Sequence, residues 1–277
     1  MSSKSSIEWT DATWNPVTGC TKVSQGCKNC YAETWANRKM GEFSKEKNRG
    51  FTDIICHEDK LDIPLKWIKP KKIFVNSMSD LFHEKVPFEF ILKVFKVMQE
   101  CKQHTFQILT KRPERMKEFM NEYFSTKDYM GNPNPNVWLG VSVEDQKTAN
   151  ERIPILLQIP AQVRWISAEP LLGEIDINSS MRKQKGYADL DWAVVGGESG
   201  PKARPMNPDW VFKIRDDCKA AGVPFFFKQW GEYEPYKLYG VWQYHRSGKK
   251  KAGRSLCNEY YDEMPEVYKP SAAEELT

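Results

Sequence analysis

Three cysteines stand within eleven residues of this chain, spaced Cys20-x6-Cys27-x2-Cys30 in the segment TWNPVTGCTKVSQGCKNCYAE. Gly19 and Gly26 permit the tight turns that would wrap such a loop around one centre. Clustered thiolates suit zinc and iron–sulfur centres alike. A structural zinc takes four protein donors, commonly from a second paired motif. No such motif follows: Cys56, Cys101, Cys218 and Cys257 are isolated, and Cys56-His57 is the only plausible distant donor. Three thiolates on a cubane leave one iron without a protein ligand. A small chelating molecule can then bind that iron and be activated there, by the logic of the open position in a catalytic zinc site. The incomplete ligand set is thus a reason to expect catalysis.

The elements that would position this loop read as α/β. Short apolar runs at 71–77, 104–110, 136–143, 162–169, 191–197 and 223–229 alternate with helical stretches at 87–101, 113–124, 145–158 and 207–221. Several runs are continuously apolar, as parallel strands covered by helices require. Pro87 and Pro113 suit first helical turns. A full barrel takes about 250 residues, and the chain has 277. The reading is a partial (β/α) barrel of about six to seven parallel strands over residues 1–230. Residues 231–277 then form a small C-terminal extension packed on the barrel. Before the barrel come a short strand, the cysteine loop and a helix from Tyr31. Residues 41–60 read as an exposed charged connection, and 125–136 as a turn-rich loop.

Each apolar run ends in a polar cluster: NSMSD, LTKRP, SVEDQ, SAEP, GGESG and FKQWG. In a barrel these exits converge on one face, where ligands bind. The plain alternative is that loops are polar everywhere, and any one cluster fits it. Lys111, Arg112, Glu169, Lys228 and Gln229 are the substrate-side candidates, since cations in such a mouth suit a carboxylate or phosphate. Taken singly, each reads first as a solvated rim residue in a salt bridge. His57, His83, His104 and His245 do not cluster.

The net charge of +4 permits an anionic partner without requiring one. The start MSSKSSIEWT lacks a secretory apolar segment, and no apolar run approaches the ~20 residues of a membrane span. The expectation is a cytoplasmic protein with no membrane partner, whose seven cysteines do not form disulfides.

The cysteine loop after a first strand, followed by an α/β barrel, resembles the radical SAM superfamily. The opening TWNPVTGCTKVSQGCKNCYAE, with SVED, SAEPLL and GGESG further on, resembles a phage-associated three-Cys-motif family with no established reaction, over most of residues 7–235. The more usual superfamily spacing is Cys-x3-Cys-x2-Cys, and the x6 gap resembles a minority variant. The resemblance implies a [4Fe-4S] cluster on Cys20, Cys27 and Cys30, with S-adenosylmethionine chelating the fourth iron. It implies reductive cleavage to a 5'-deoxyadenosyl radical, and an electron donor such as flavodoxin or ferredoxin. Asn76, Ser77, Ser79 and Asp80 would meet the methionine amine, and Ser142 and Glu144 the ribose or carboxylate. Gly196 and Gly197 would bring backbone amides to the adenosyl group, with Glu198 accepting a hydroxyl. The family's aromatic before the third cysteine is Asn29 here. Tyr31, on the other side, either takes that place against adenine or starts the helix core.

The tail interleaves Tyr233, Tyr236, Tyr239, Trp242 and Tyr244 with Lys237, Arg246 and Lys249–Lys251. Such a mixture can stack bases and track phosphates, or cover the barrel end. Two functions stay open: a radical enzyme acting on a nucleobase or nucleic acid, and a non-catalytic zinc- or cluster-containing nucleic-acid-binding protein.

Overall fold

The structure, a computed structural model, describes residues 5–38, 49–125, 133–178 and 189–266. Short strands β1 (Ala12–Trp14), β2 (Val17–Thr18) and β3 (Ile55–Cys56) precede the repeating part, with helix α1 (Tyr31–Asn37) between β2 and β3. There follow β4 (Lys72–Val75), α2 (Phe88–Glu100), β5 (Thr105–Thr110), α3 (Pro113–Ser125), β6 (Val137–Ser142) and α4 (Gln146–Leu156). Next come β7 (Val163–Ala168), β8 (Trp192–Gly196), α5 (Pro208–Ala221) and β9 (Phe225–Gln229). Seven strands pair in the order β1-β4-β5-β6-β7-β8-β9, every pair parallel, and curl into a half-barrel. The order follows the chain because each crossover returns one strand further along.

The continuous apolar runs have the expected cause. Ile73, Val75, Phe106, Ile108, Leu139, Val141, Ile166 and Val195 pack with the helix residues Phe90, Val94, Met116, Phe119, Ile153 and Ile214 on the convex face. Alternate residues point the other way, and there Phe74, Trp138, Trp165, Trp192, Val194 and Phe226 form a separate cluster. Trp9, from the polar-looking N-terminus, enters this cluster with edge-on contacts to Phe74, Trp165 and Trp192. Large rings fill the concave side because a half-barrel leaves more room there than aliphatic side chains occupy.

Of the connection at 41–60, residues 41–48 lie outside the described residues, and the part that follows is less exposed than its charge suggests. Arg49 and Phe51 are buried, and Arg49 donates to the Thr18 carbonyl at 2.9 Å and the Asp53 carbonyl at 2.9 Å. Of the turn-rich loop at 125–136, residues 126–132 lie outside the described residues.

Beyond β9, strands β10 (Tyr233–Leu238) and β11 (Val241–Arg246) form an antiparallel hairpin, followed by the short helix α6 (Lys249–Ala252). The chain then returns to the sheet edge. Asp262 bridges Phe226 antiparallel, the Phe227 amide donates to the Tyr261 carbonyl, and the Trp192 indole donates to the Glu263 carbonyl at 2.9 Å. This return covers the free edge of β9, which would otherwise invite pairing with another chain. Among the described residues no helix is long and apolar enough to cross a membrane.

Candidate functional site

The cysteine loop, residues 19–30, lies where the parallel strands end. Gly19 forms a bridge to Ser79 just beyond β4, its amide donating to the Met78 carbonyl at 3.1 Å. Gly19 has φ 93°, and a Cβ there would sit 2.3 Å from the Asp53 carbonyl oxygen, so the anchor of Cys20 admits no side chain. Cys27 closes a short 3-10 turn over Gln25–Cys27, and Cys30 caps the N-terminus of α1. Cys20 and Cys30 both pack against the small group of Ala32, Ala36, Phe51 and Met78.

The thiols are neighbours in one electrostatic environment. Burial and then Asp80 push the Cys20 thiol up to about 12, against the pull of Arg112, and Cys27 adds to the rise. Burial raises Cys30 as well, opposed by the Ala32 and Glu33 amides and by Lys111, and again Cys27 adds. Thiols raised in this way ionise when a metal supplies the missing positive charge. Among the described residues no group of three or more His, Cys, Asp or Glu converges on a single ion. A cluster gives each sulfur its own iron, whereas one zinc needs four donors around a point. The other cysteines stand apart: Cys101 and Cys218 are buried in the helix-covered core, and Cys257 is exposed. Cys56 pairs in β3 opposite Val17, and His57 is hydrogen-bonded to Thr18 at 2.7 Å. Three thiols in one loop, with the other cysteines set apart, are the donor set that an iron–sulfur cluster with one open iron would take.

Three charge clamps hold the loop from different strand exits. After β5, Arg112 donates to the Thr21 carbonyl at 3.2 Å and hydroxyl at 3.0 Å, and reaches Cys20 Sγ at 3.8 Å. Asp80, after β4, fixes this guanidinium at 3.1 Å, and buried His83 bonds the same Thr21 hydroxyl at 2.9 Å. After β6, fully buried Glu144 accepts from Ser24 Oγ at 2.8 Å, Lys111 Nζ at 2.9 Å and Arg152 at 3.2 Å. Burial alone would raise the Glu144 carboxyl; Lys111 and Arg152 outweigh it and hold the group below the usual carboxylate range. After β8, Glu198 accepts from Asn29 at 3.0 Å and from Arg204 at 2.6 and 2.8 Å, while Arg204 also reaches the Gln25 carbonyl at 3.0 Å. Here too burial is outweighed, by the Arg204 and Asn29 hydrogen bonds, and the Glu198 carboxyl is lowered.

Several candidates thus turn toward the loop itself. Lys111 and Arg112 pair with Glu144 and Asp80, and Glu144 and Glu198 receive loop side chains. Asn29, where the superfamily carries an aromatic, ties the loop to Glu198 and to the Lys202 carbonyl at 2.8 Å. The NSMSD side chains hold the first strands: Ser77 donates to Asn15 at 3.1 Å, Ser79 to the Val17 carbonyl at 2.8 Å, and Asn76 accepts from the Val17 amide at 3.2 Å. The Asn76 Nδ2 group is buried without a hydrogen-bond partner. Ser142 accepts from Arg152 through its carbonyl at 2.7 Å.

The remaining candidates are tied to one another and to the strand exits. Tyr31 donates its hydroxyl to the Ser77 carbonyl while the residue stays 48% exposed. Desolvation of the hydroxyl, then Cys30 and Glu169, raise that phenol. Glu169 pairs with Lys228 at 2.9 Å and accepts from Ser167 at 3.1 Å. A Cβ on Gly196 would lie 2.6 Å from Glu169 Oε1, and one on Gly197 would meet the Trp230 carbonyl, so both glycines permit close approach. Gln229 donates to the Gly197 carbonyl at 3.1 Å, and its own Oε1 is buried without a partner. In the hairpin, Arg246 braces the Gly200 and Pro201 carbonyls at 3.1 and 2.7 Å, and Lys237 lies over Trp242.

Sequence reasoning missed Ser24, Arg152, Arg204 and Trp9. Arg152 carried a faint signal, standing two helical turns after Glu144 on α4. Arg204 carried none, since it lies in the irregular PKARP segment.

The profile of the family described as "Protein of unknown function (DUF5131)" matches residues 4–265, and the chain belongs to that family. A search of curated protein sequences finds no match. Among solved structures, a cysteine-to-serine variant of spore photoproduct lyase is similar at TM-score 0.50 and 12% identity, over 88% of this chain and 71% of that one. Another variant, with bound AdoMet and dinucleoside spore photoproduct, gives TM-score 0.48 and 11% identity, over 85% and 68%. The first likeness is one of fold.

Proposed function

We propose that this member of the DUF5131 family is a radical S-adenosylmethionine enzyme whose [4Fe-4S] cluster is held by Cys20, Cys27 and Cys30. One observation carries the reading: three thiols without a fourth, held by three charge clamps at the mouth of a parallel half-barrel. The fold shared with spore photoproduct lyase supports it. When bound, the cluster and S-adenosylmethionine would supply a 5'-deoxyadenosyl radical by one-electron cleavage.

The chain's own residues prepare the place for that chemistry. The clamps order the loop in advance, so little loop entropy remains to be lost on cluster binding. In this reading the unpartnered Asn76 amide and the Tyr31 ring face the cofactor, whereas the Gly197 amide, expected to reach the adenosyl group, donates to the Gln229 carbonyl at 2.9 Å instead. The Glu169–Lys228 pair faces the substrate, offering an acceptor beside a donor. The substrate class proposed is a nucleobase or nucleic acid, a reading that the shared fold supports and the net charge of +4 permits. A flavodoxin- or ferredoxin-like carrier would deliver the electron.

Anaerobic purification tests the cluster: brown protein with about 4 iron per chain, lost in Cys27→Ala, is expected. Colourless, zinc-loaded protein would sink the reading. Incubation with dithionite and S-adenosylmethionine should release 5'-deoxyadenosine above a Cys30→Ala control. Salt-dependent binding of an oligonucleotide tests the substrate class; no binding at low salt would refute that part alone.

A further inference from the structure

We propose that Arg112 is a positioning residue that sets the reduction potential of the cluster on Cys20, Cys27 and Cys30. The proposal rests on the cluster reading above and assigns a candidate substrate ligand to the cluster instead.

The geometry uses the whole guanidinium. One terminal nitrogen donates to Cys20 Sγ at 3.8 Å and Asp80 Oδ2 at 3.1 Å, the other to the Thr21 carbonyl and hydroxyl at 3.2 and 3.0 Å. Nε donates to Glu84 at 3.2 Å. A lysine could not make this fork, because its ammonium is a single point of charge. Asp80 is itself fixed, accepting from Thr110 Oγ1 at 2.7 Å and the Phe82 and Lys111 amides at 3.0 and 3.1 Å. The guanidinium therefore has one orientation, set by the exits of β4 and β5.

Its neighbours in the mouth are committed elsewhere: Lys111 and Arg152 to Glu144, Arg204 to Glu198, and Lys228 to Glu169. Among the described residues, Arg112 is the cation whose N–H reaches a cysteine sulfur. Its side chain is 10% exposed, so water screens the charge little. A buried cation donating to a ligand sulfur stabilises the added electron of a reduced cluster and raises its potential. Asp80 accepts from the same terminal nitrogen and pushes the Cys20 thiol up more strongly than the Arg112 charge pulls it down, so removing the guanidinium would leave that carboxylate uncompensated beside the sulfur.

The test compares reconstituted wild type, Arg112→Gln and Arg112→Lys by iron content and an EPR-monitored redox titration. At a fixed solution potential, the reduced-to-oxidised ratio in Arg112→Gln should fall about tenfold, a 59 mV negative shift for one electron. Arg112→Lys, which keeps the charge and loses the fork, should fall between. Intact clusters with ratios within twofold of wild type in both variants would overturn the proposal. Loss of the cluster in both variants would also overturn it, leaving Arg112 as a scaffold for Thr21. Wild type that takes up no iron is a different result, and removes the cluster reading itself.

Discussion

Glu144→Gln tests the central clamp. The carboxylate is fully buried and balances two cations, Lys111 at 2.9 Å and Arg152 at 3.2 Å, while accepting from Ser24 at 2.8 Å. Glutamine keeps the volume, removes the charge and places an N–H₂ among donors. Arg152, with a side chain 7% exposed, keeps its bond to the Ser142 carbonyl but has no path to water. Lys111 is 18% exposed and can swing partly outward. Removing one partner of a buried pair costs about 3–5 kcal/mol. The exit open to Lys111 places the loss near the lower end, about 3 kcal/mol. For a domain of this size each kcal/mol moves Tm by about 2–4 °C, so a fall of about 6–12 °C follows. Circular-dichroism melts of metal-free wild type, Glu144→Gln and the double variant Lys111→Met/Glu144→Gln measure it. The double variant should recover about 1 kcal/mol, because one unpaired charge is gone. Labelling of the Cys27 thiol should also quicken once Ser24 loses its acceptor. A fall below 2 °C in the single variant, with unchanged labelling, would refute the reasoning.

Acid should weaken the same clamps. Glu144 and Glu198 have lowered folded pKa values, so their contribution is complete above the unfolded value near 4.3 and disappears as pH falls through the lower folded values. Urea unfolding should therefore show stability dropping below about pH 4.3, with a shallower drop in Glu144→Gln; equal slopes would count against the assignment. Gly140→Ala should destabilise by about 1–3 kcal/mol, since the added Cβ would lie 2.5 Å from the Trp165 ring. That ring is wedged against Trp9 and Trp192, and a neutral thermal melt would show that the cluster gives way. Arg246→Ala should leave Tm within about 2 °C, as an exposed contact does, yet speed amide exchange over residues 198–204. Unchanged exchange there would mean the hairpin does not brace the GGESG loop.

The sequence by itself determined the fold class and singled out the cysteine loop as the candidate centre. Parallel strands buried on both faces must be apolar along their whole length, so β5 to β9 are visible as runs, and Pro113 marks the start of α3 within one residue. The cysteine loop is legible because thiolate chemistry belongs to the residue type and its spacing, both local. The destination of the charges is not local. Ser24 and Glu144 are 120 residues apart, and Asn29 and Glu198 are 169 apart, yet each pair is in hydrogen-bond contact. Lys111 and Arg112 look alike as strand-exit cations. Only the curl of the sheet sends one to Glu144 and the other to Cys20 and Asp80. Trp9 likewise reads as part of a polar tail until the half-barrel offers its concave side. Tertiary structure decided these roles because electrostatic and packing energies depend on distance in space, which six parallel crossovers set independently of separation along the chain.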